Sequence, residues 1–516
     1  MHPPPSSSTS PQSSAPLDNR FFGHPRGLST LFFTEMWERF SYYGIRPLLV
    51  LFMAAAITQG GFGFRREEAS AIVGIYAASV YLASLPGGWV ADRLLGLQRA
   101  IWYGGCLIAA GHISIGLSDF MGRPVFFLGL ILIVLGTGLL KPNISAIVGE
   151  LYPEGGARRD AGFSIFYMGI NIGALLAPLI TGYLGEKVGW HYGFGAAGLG
   201  MILGLIQYRL SAKWLGSLGT APTRHPDPAV QARQERQVKL VMGVLLGVLS
   251  LLLVLGVAGV LTINPVTVGQ RMGQAIAALA VLYFLYLFTF AGLTGSEKKR
   301  VVAILVLFVF ATIFWAAFEQ APTSLNLFAA DFTDRTVFGW EMPTLWLQSA
   351  NSFFVIIFAP VFAALWVALS RRGGDLSSPA KFTLGLAFAA VGFGVMIFAA
   401  QKIQGGGVVK VSPWWLIISF FFQTLGELCL SPVGLSSMTK LAPRKFTGQM
   451  MGVWFMAAAL GNLIAGLVGG HVDPKNPAEM PALFTQTALF LAGAAVVLCL
   501  LIIPIRRMMA ETQPEG

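Results

Sequence analysis

Charged residues are scarce in this chain: Asp, Glu, Lys and Arg together make up 11% of its 516 residues. Hydrophobic residues make up 55%, and the mean hydropathy is +0.68. A soluble globular protein cannot cover its surface with so few polar side chains. The composition therefore excludes a soluble protein and predicts an all-α polytopic membrane protein.

Residues that often carry chemistry are also rare. Cys106, Cys429 and Cys499 lie in apolar runs, and their odd number gives no disulfide framework, so we interpret them as thiols that fill the core. His112 also lies in an apolar run, and we interpret it as a core histidine. The sequence has no His/Cys/Asp group with metal-ligand spacing and no repeated selectivity segment. We therefore expect neither an enzyme nor a channel, and no metal site.

Fourteen apolar runs that are long enough to cross a bilayer lie between residues 27 and 506. The first twenty residues are rich in Pro and Ser and lack an apolar core, so we interpret them as a tail and not as a signal peptide. We divide the chain into a disordered cytoplasmic tail at 1–26, a six-helix bundle at 27–210, a cytoplasmic linker with a two-helix insertion at 211–300, a second six-helix bundle at 301–507 and a cytoplasmic tail at 508–516.

The positions of basic residues predict the orientation. An even number of spans places both termini on one side, and most Lys and Arg residues of the tails and loops fall on that side. Cytoplasmic loops carry the excess of basic residues, so we expect both termini in the cytoplasm of a multi-pass protein of the plasma or inner membrane. The net charge of +11 then reflects topology. The lipid bilayer is the expected partner, and no nucleic acid is expected.

An internal repeat is visible in the sequence. Leu135–Pro153 and Leu425–Pro443 can be aligned with one another without gaps. Their shared residues include the pairs Gly136 and Gly426, Pro142 and Pro432, and Pro153 and Pro443. The repeat predicts two related bundles, with the apolar runs at 238–258 and 270–292 inserted between them as a hairpin.

A charged stripe marks the first apolar run, where Glu35–Arg46 has the sequence EMWERFSYYGIR. At 100° per residue its polar side chains fall in a sector about 140° wide. They are Glu35, Glu38, Arg39, Tyr42, Tyr43 and Arg46. A charge left unpaired at mid-bilayer costs on the order of 3 kcal/mol, so this face predicts a cavity lined by partners from other helices. A structural cluster that locks helices together is the alternative.

The segment EMWERFSYYGIR resembles the ExxERFxYYGxR first-helix motif of the proton-dependent oligopeptide transporter (POT) family, a branch of the major facilitator superfamily. The segments GGWVADRLLG at Gly87–Gly96 and FSIFYMGINIGAL at Phe163–Leu175 resemble two further signatures of that family. The resemblance extends from about Phe21 to Arg507. It implies a major facilitator fold of two six-helix bundles plus an inserted two-helix hairpin, with 14 transmembrane helices.

The function that the resemblance implies is proton-coupled symport of di- and tripeptides into the cell by alternating access, by a monomer and without a cofactor other than protons. The residues that match the family's proton-coupling positions are Glu35, Glu38, Arg39 and Glu319. Those that match its substrate-binding positions are Tyr42, Tyr43, Arg46, Tyr81, Lys141, Asn171, Asn351, Glu427 and Trp454. Within the second set, Arg46 and Lys141 match positions that hold the peptide carboxylate, and Glu427 matches one near the amino end. Helix packing is the alternative role for Tyr81 and Trp454.

The charges inside the apolar runs agree with these roles. The acids are Glu35, Glu38, Glu319 and Glu427, and the bases are Arg39, Arg46 and Lys141. The surplus carboxylate has no permanent cation in a low dielectric and takes up a proton readily, as proton coupling requires. Cations that face an acid also complement the zwitterion of a free peptide. A small anion such as nitrate is the alternative substrate, although Glu427 would repel it.

Two ion pairs are candidate gates between the bundles, Arg46 with Glu319 and Lys141 with Glu427. An outer gate formed by Arg65 or Arg66 with Asp331 or Asp334 is a further candidate, although charges at loop ends are usually just solvated.

Overall fold

The computed structural model describes residues 20–222, 224, 226–260, 263–374, 376–404, 410–473 and 477–510. The predicted tails at 1–26 and 508–516 therefore fall largely outside the described residues. The helices are α1 (Gly27–Ala54), α2 (Arg66–Val90), α3 (Leu97–Met121), α4 (Arg123–Glu150), α5 (Gly156–Tyr183), α6 (Trp190–Ser211), α7 (Pro228–Val257), α8 (Pro265–Thr289), α9 (Gly295–Phe318), α10 (Asn326–Phe332), α11 (Ser349–Arg371), α12 (Ser378–Gln404), α13 (Trp414–Leu441), α14 (Thr447–Val468) and α15 (Glu479–Ala510). All except the short α10 are long, which confirms the prediction of 14 long helices.

Twelve segments are long and apolar enough to cross a membrane, among them the whole stretch Gly295–Phe332. Helices α1 and α6 fall outside this set. The charged stripe accounts for α1, and the glycines and polar aromatic residues of α6 lower its hydropathy. Both helices nevertheless pack inside the first bundle, α1 against α5 and α6, and α6 also against α3. Helix α1 is therefore a span enclosed by protein, as the stripe predicts, whereas α6 keeps an exposed face that includes Leu199 and Ile206.

The insertion begins earlier than predicted. Helix α7 starts at Pro228, not at residue 238, because the Asp227 side chain accepts a hydrogen bond from the Ala229 N–H at 2.8 Å and caps the helix. This added segment reaches the turn after α2, where the Arg93 side chain donates to Gln234. Most of the apolar part of α7 is exposed, whereas α8 packs against α2 and α14. The hairpin is thus attached to both bundles by one helix and faces lipid with the other.

The apolar run at residues 301–327 lies within one span, Gly295–Phe332, that is not a continuous helix. Helix α9 ends at Phe318, a wider turn follows at Ala321–Leu325, and α10 continues the same span. Pro322 supplies the local cause, because proline lacks the N–H that a regular helix would use there. The break places Glu319 at the end of α9, where the chain direction changes inside the protein.

Close glycine contacts support the internal repeat. A Cβ atom on Gly136 of α4 would lie 2.5 Å from the carbonyl oxygen of Gly104 on α3. A Cβ atom on Gly426 of α13 would lie 2.6 Å from the carbonyl oxygen of Gly385 on α12. Gly136 and Gly426 are aligned in the sequence repeat, so both bundles use the same close approach of two helices at equivalent positions.

The two bundles meet at the end of the molecule where α1 finishes and α2 begins. A Cβ atom on Gly466 of α14 would lie 2.5 Å from the Cα of Gly74 on α2. Asn326 Nδ2 donates to the carbonyl oxygen of Pro47 at 2.8 Å. Trp346 Nε1 donates to a carbonyl oxygen near the end of α5 at 2.9 Å. We call this the α1-distal end, and the structure is closed there.

The cysteines occupy different environments. Cys429 is buried, Cys106 is half-buried and Cys499 is exposed on α15. The interpretation as core-filling thiols is therefore correct for Cys429 and wrong for Cys499.

The glycine contact between α3 and α4 predicts a matched pair of substitutions. Gly136→Leu would force the two helices apart and should cost about 1–3 kcal/mol, as overpacking does. Gly116→Leu, also in the α3/α4 region, adds its side chain where no atom lies within 4 Å and should be tolerated. Thermal unfolding of purified protein in detergent measures both, and equal midpoints for the two variants would contradict the packing described.

Candidate functional site

A cavity of about 320 Å³ lies between the bundles, next to the charged stripe of α1. Its volume falls in the range of small-molecule sites, about 300–1,000 Å³. Most residues that the sequence assigned to coupling and binding line it, namely Glu35, Arg39, Tyr43, Arg46, Tyr81, Lys141, Asn171, Glu319, Asn351, Glu427 and Trp454. The structure therefore brings residues from both halves of the chain into one enclosed space.

Two carboxylates share one guanidinium within α1. Arg39 Nε lies 3.2 Å from Glu35 Oε1 and also donates to Glu38 Oε2. All three side chains are buried, and Glu35 Oε2 has no hydrogen-bond partner among the described residues. With both acids ionised this cluster would carry one excess negative charge, so it is a site where a proton can be held.

Glu38 does not line the cavity. It lies behind Arg39, with 1% of its surface exposed, whereas Glu35 and Arg39 reach the cavity wall. A proton on this cluster is thus close to the cavity and yet shielded from bulk solvent.

Arg46 joins the two bundles. Its Nη2 atom lies 2.7 Å from Glu319 Oε2, so the two members of one predicted gate pair are in contact. The same Nη2 donates to Asn462 Oδ1 on α14 at 2.5 Å. Separating a buried ion pair costs free energy, because each charge is then left without a partner in a low dielectric. The contact between Arg46 and Glu319 therefore stabilises the closed α1-distal end.

Lys141 and Glu427 do not form the second predicted gate pair in this conformation. Lys141 Nζ lies 4.2 Å from the centre of the Tyr81 ring, a cation–π contact. Glu427 accepts a hydrogen bond from Asn351 Nδ2 at 3.2 Å, and Asn351 also donates to Thr424 Oγ1 at 2.9 Å. In the described part of the chain, neither Lys141 nor Glu427 has an oppositely charged group within 4 Å. The cavity therefore offers one cation and one carboxylate, on opposite bundles, without an ion-pair partner.

Tyr42 is not part of the cavity wall, which corrects its assignment as a pocket residue. It lies 100° around α1 from Tyr43 and points toward α2, where its ring stacks on Tyr76 with 6.1 Å between the ring centres. Tyr43 does line the cavity. Asn171 lines it too, and its Nδ2 donates to the carbonyl oxygen of Tyr167 at 2.9 Å.

Several uncharged polar residues of the site were not predicted from the sequence. Tyr167, Gln348 and Gln423 line the cavity, and Asn462 holds Arg46 from behind it. The available signal was an uncharged polar side chain inside an apolar run, which also has a desolvation cost when it is buried, although a smaller one than a charge has.

Ion pairs also close the α1-distal end near its surface. Arg66 Nη1 lies 2.5 Å from Asp331 Oδ2, so one of the candidate outer pairs forms. Arg65 pairs with Glu68 on its own helix instead. Glu186 accepts hydrogen bonds from the N–H groups of Thr344 and Leu345 at 2.8 and 3.0 Å, which joins the segment after α5 to the start of the α11 region.

Comparisons with known proteins agree with this site. A sequence model described as the POT family matches residues 98–480. The chain is 50% identical over 505 residues to "Peptide transporter YePEPT" of Yersinia enterocolitica subsp. palearctica serotype O:3, covering 97% of this chain and 98% of that protein. It is 36% identical over 512 residues to a "Di-/tripeptide transporter" of Lactococcus lactis subsp. cremoris, covering 96% and 99%.

Solved structures are similar over nearly the whole chain. A crystal structure of the peptide transporter POT in complex with sulfate superposes with a TM-score of 0.86 at 42% identity, covering 95% of this chain and 96% of that one. A POT family transporter in complex with 5-aminolevulinic acid gives 0.84 at 35% identity, covering 94% and 98%. The family model and the relatives together leave no alternative assignment: this chain is a multi-span membrane transporter, not an enzyme, and belongs to the proton-dependent oligopeptide transporter family.

Proposed function

We propose that this protein imports di- and tripeptides together with protons by alternating access. The observation that carries the proposal is that two charged side chains in the cavity wall have no ion-pair partner. Among the described residues, Lys141 on the first bundle and Glu427 on the second form no ion pair, so they are available to complement the carboxylate and the ammonium of a short peptide. Tyr43, Asn171 and Asn351 add hydrogen bonds that do not depend on the peptide side chains.

The relatives support this substrate class. The printed names of two of them specify peptides or di- and tripeptides. One solved relative is in complex with 5-aminolevulinic acid, an amino acid whose carboxylate and ammonium are the charges expected of a ligand between Lys141 and Glu427. Nitrate fits less well, because Glu427 would face it without a counter-charge.

The orientation follows from the basic residues of the loops. With both termini in the cytoplasm of the plasma or inner membrane, the closed α1-distal end would face outward, and this conformation would be one that is closed to the outside. Arg46 with Glu319 and Arg66 with Asp331 then hold the outer side shut. Lys141 and Glu427 would pair in the opposite state and close the inner side.

Protons and peptide act on different parts of this arrangement. A proton on Glu319 removes the charge that attracts Arg46. A proton on the Glu35/Glu38/Arg39 cluster removes one negative charge and makes the electrostatic potential at Lys141 more positive. The peptide carboxylate draws on Arg46 and Lys141, and its ammonium draws on Glu427. Each ligand thus stabilises one conformation over the other, which is the requirement for coupling.

Uptake in proteoliposomes tests the function directly. One proton that moves with a neutral zwitterion carries one charge, worth about 2.3 kcal/mol per 100 mV, or about 40-fold accumulation. We expect labelled dipeptide uptake to rise with an inward proton gradient and an inside-negative potential. Unlabelled di- and tripeptides should compete, and nitrate should not. Uptake indifferent to both driving forces, or blocked by nitrate alone, would contradict the proposal.

Glu38→Gln separates coupling from binding. It removes one of the two acids that share Arg39 and with it the excess charge that holds a proton. Proton-driven uptake should be lost, while peptide counterflow persists because exchange needs no net proton movement. Loss of both activities in folded protein would favour a purely structural role for the cluster.

Glu427→Gln tests recognition of the peptide amino end. Because the carboxylate faces the ammonium, affinity should fall roughly tenfold or more for a free dipeptide, about the 1.4 kcal/mol of one charge-assisted contact, and little for its N-acetylated form. Lys141→Ala is the matched control, because it should weaken both forms alike through the carboxylate they share. Equal losses for both peptides in Glu427→Gln would show that Glu427 does not bind the ammonium.

A further inference from the structure

Asn462 makes a polar contact across the two bundles that involves no second charge. It lies within α14 and is 1% exposed. Its Oδ1 accepts from Arg46 Nη2 at 2.5 Å, and its Nδ2 donates to the carbonyl oxygen of Ala458 at 2.9 Å. The bond to its own helix fixes the amide with the oxygen toward the guanidinium. Asn462 is therefore a preset acceptor for Arg46.

Arg46 thus has two acceptors on the second bundle, and they differ in one property. Glu319 accepts from the same Nη2 at 2.7 Å and loses its charge when it is protonated. The amide of Asn462 does not titrate and accepts a hydrogen bond at every working pH. Protonation of Glu319 consequently removes one of the two contacts and leaves the other in place.

The surroundings of Arg46 leave Glu319 as the acid that acts on it directly. The other titratable groups near the guanidinium are Tyr42 and Tyr43 on its own helix, and Tyr76, Tyr81, Lys141 and Glu427 on other helices. The tyrosines are uncharged near neutral pH. Among the described residues, Glu427 forms no ion pair with Arg46, and the Glu35/Glu38/Arg39 cluster lies about two helical turns earlier on α1.

Asn462 is also part of the tight contact at the α1-distal end. Its carbonyl oxygen would lie 3.1 Å from a Cβ atom on Gly74, one turn before the point where Gly466 meets α2. When the bundles separate at this end, α14 must move away from α2, and the bond from Arg46 to Asn462 must break with it.

We infer that Asn462 is a positioning residue for coupling, because its amide holds Arg46 between the bundles after Glu319 is protonated. The outer side then stays shut until a peptide carboxylate draws Arg46 into the cavity. Asn462 would in this way prevent protons from crossing without peptide. The inference rests on the proposed function and adds a residue and a task to it.

Replacing Asn462 by a residue without an acceptor tests the inference, because the loss of a purely structural contact would not cause protons to cross without peptide. In Asn462→Leu, Glu319 alone holds Arg46, so protonation should suffice for release. Proteoliposomes that contain a pH-sensitive dye should then show a peptide-independent proton influx several-fold above wild type. Dipeptide accumulation should fall, while counterflow persists.

Replacing Asn462 by an acid should make the release of Arg46 harder, where Asn462→Leu makes it easier. Asn462→Asp adds a second carboxylate that must also be protonated before Arg46 is released, so the dependence of uptake on pH should become steeper, from one required proton toward two, with a slightly lower midpoint. In the Glu319→Gln background, Asn462→Asp should restore a titratable partner for Arg46 and recover part of the proton-driven uptake that Glu319→Gln loses.

Asn143 on α4 supplies matched controls. It is equally buried, and its Nδ2 likewise donates to the carbonyl four residues earlier, that of Leu139, at 2.6 Å. No hydrogen bond joins it to a charged side chain in the described part of the chain. Asn143→Leu and Asn143→Asp should therefore alter stability without a proton leak and without a shift of the pH profile.

The outcomes are separable from those for the proposed function. Wild-type protein in the same vesicles reports whether peptide uptake is proton-driven at all. If it is, and neither Asn462 variant changes the leak or the pH profile beyond the Asn143 controls, the inference is wrong. If Asn462→Leu does not fold, the pH profile of Asn462→Asp decides, and an unchanged profile overturns the inference.

Discussion

The cost of burying charge is the constraint on which this structure depends. Arg46 and Glu319 lie in opposite bundles, and each would be far less stable away from the other in a low dielectric. Their contact fixes how the bundles approach each other at one end. It also makes the closed state sensitive to any ligand, proton or peptide, that offers either residue another partner. Stability of the closed end and responsiveness to substrate thus come from the same pair.

The two buried arginines, Arg39 and Arg46, each have two acceptors, but the acceptors lie in different places. Within α1, Arg39 serves two carboxylates, so the cluster can gain a proton without moving any helix. Between bundles, Arg46 serves one carboxylate and one amide, so a change there alters how the bundles fit. In the proposed mechanism, the first arrangement would store a proton and the second would convert its arrival into motion. Lys141 and Glu427, which have no ion-pair partner among the described residues, would then bind the substrate.

Sequence patterns predicted part of the architecture because buried charge and internal repetition are visible in a sequence. The stripe at Glu35–Arg46 predicted a cavity, and the repeat that contains Gly136 and Gly426 predicted two related bundles. The complete fold and most of the cavity wall were predicted through the resemblance to the POT family. The failures have physical causes. The helix break after Phe318 depends on Pro322 in an otherwise apolar run, and the rotation of Tyr42 toward Tyr76 depends on a partner helix. Asn462 is uncharged and was not predicted from the sequence, so its hydrogen bond to Arg46 is visible only in the structure.

The interrupted span from α9 to α10 has a mechanical consequence. A continuous helix would transmit any tilt at one membrane face to the other, whereas a joint at Glu319 lets the two pieces turn by different amounts. Helix α10 carries Asp331, which pairs with Arg66, and α9 packs on α13 and α14. The Glu319 carboxylate, which pairs with Arg46, lies at the joint itself. The two parts of this span can therefore tilt separately, so that α10 can leave its contacts with the first bundle while α9 keeps its packing within the second.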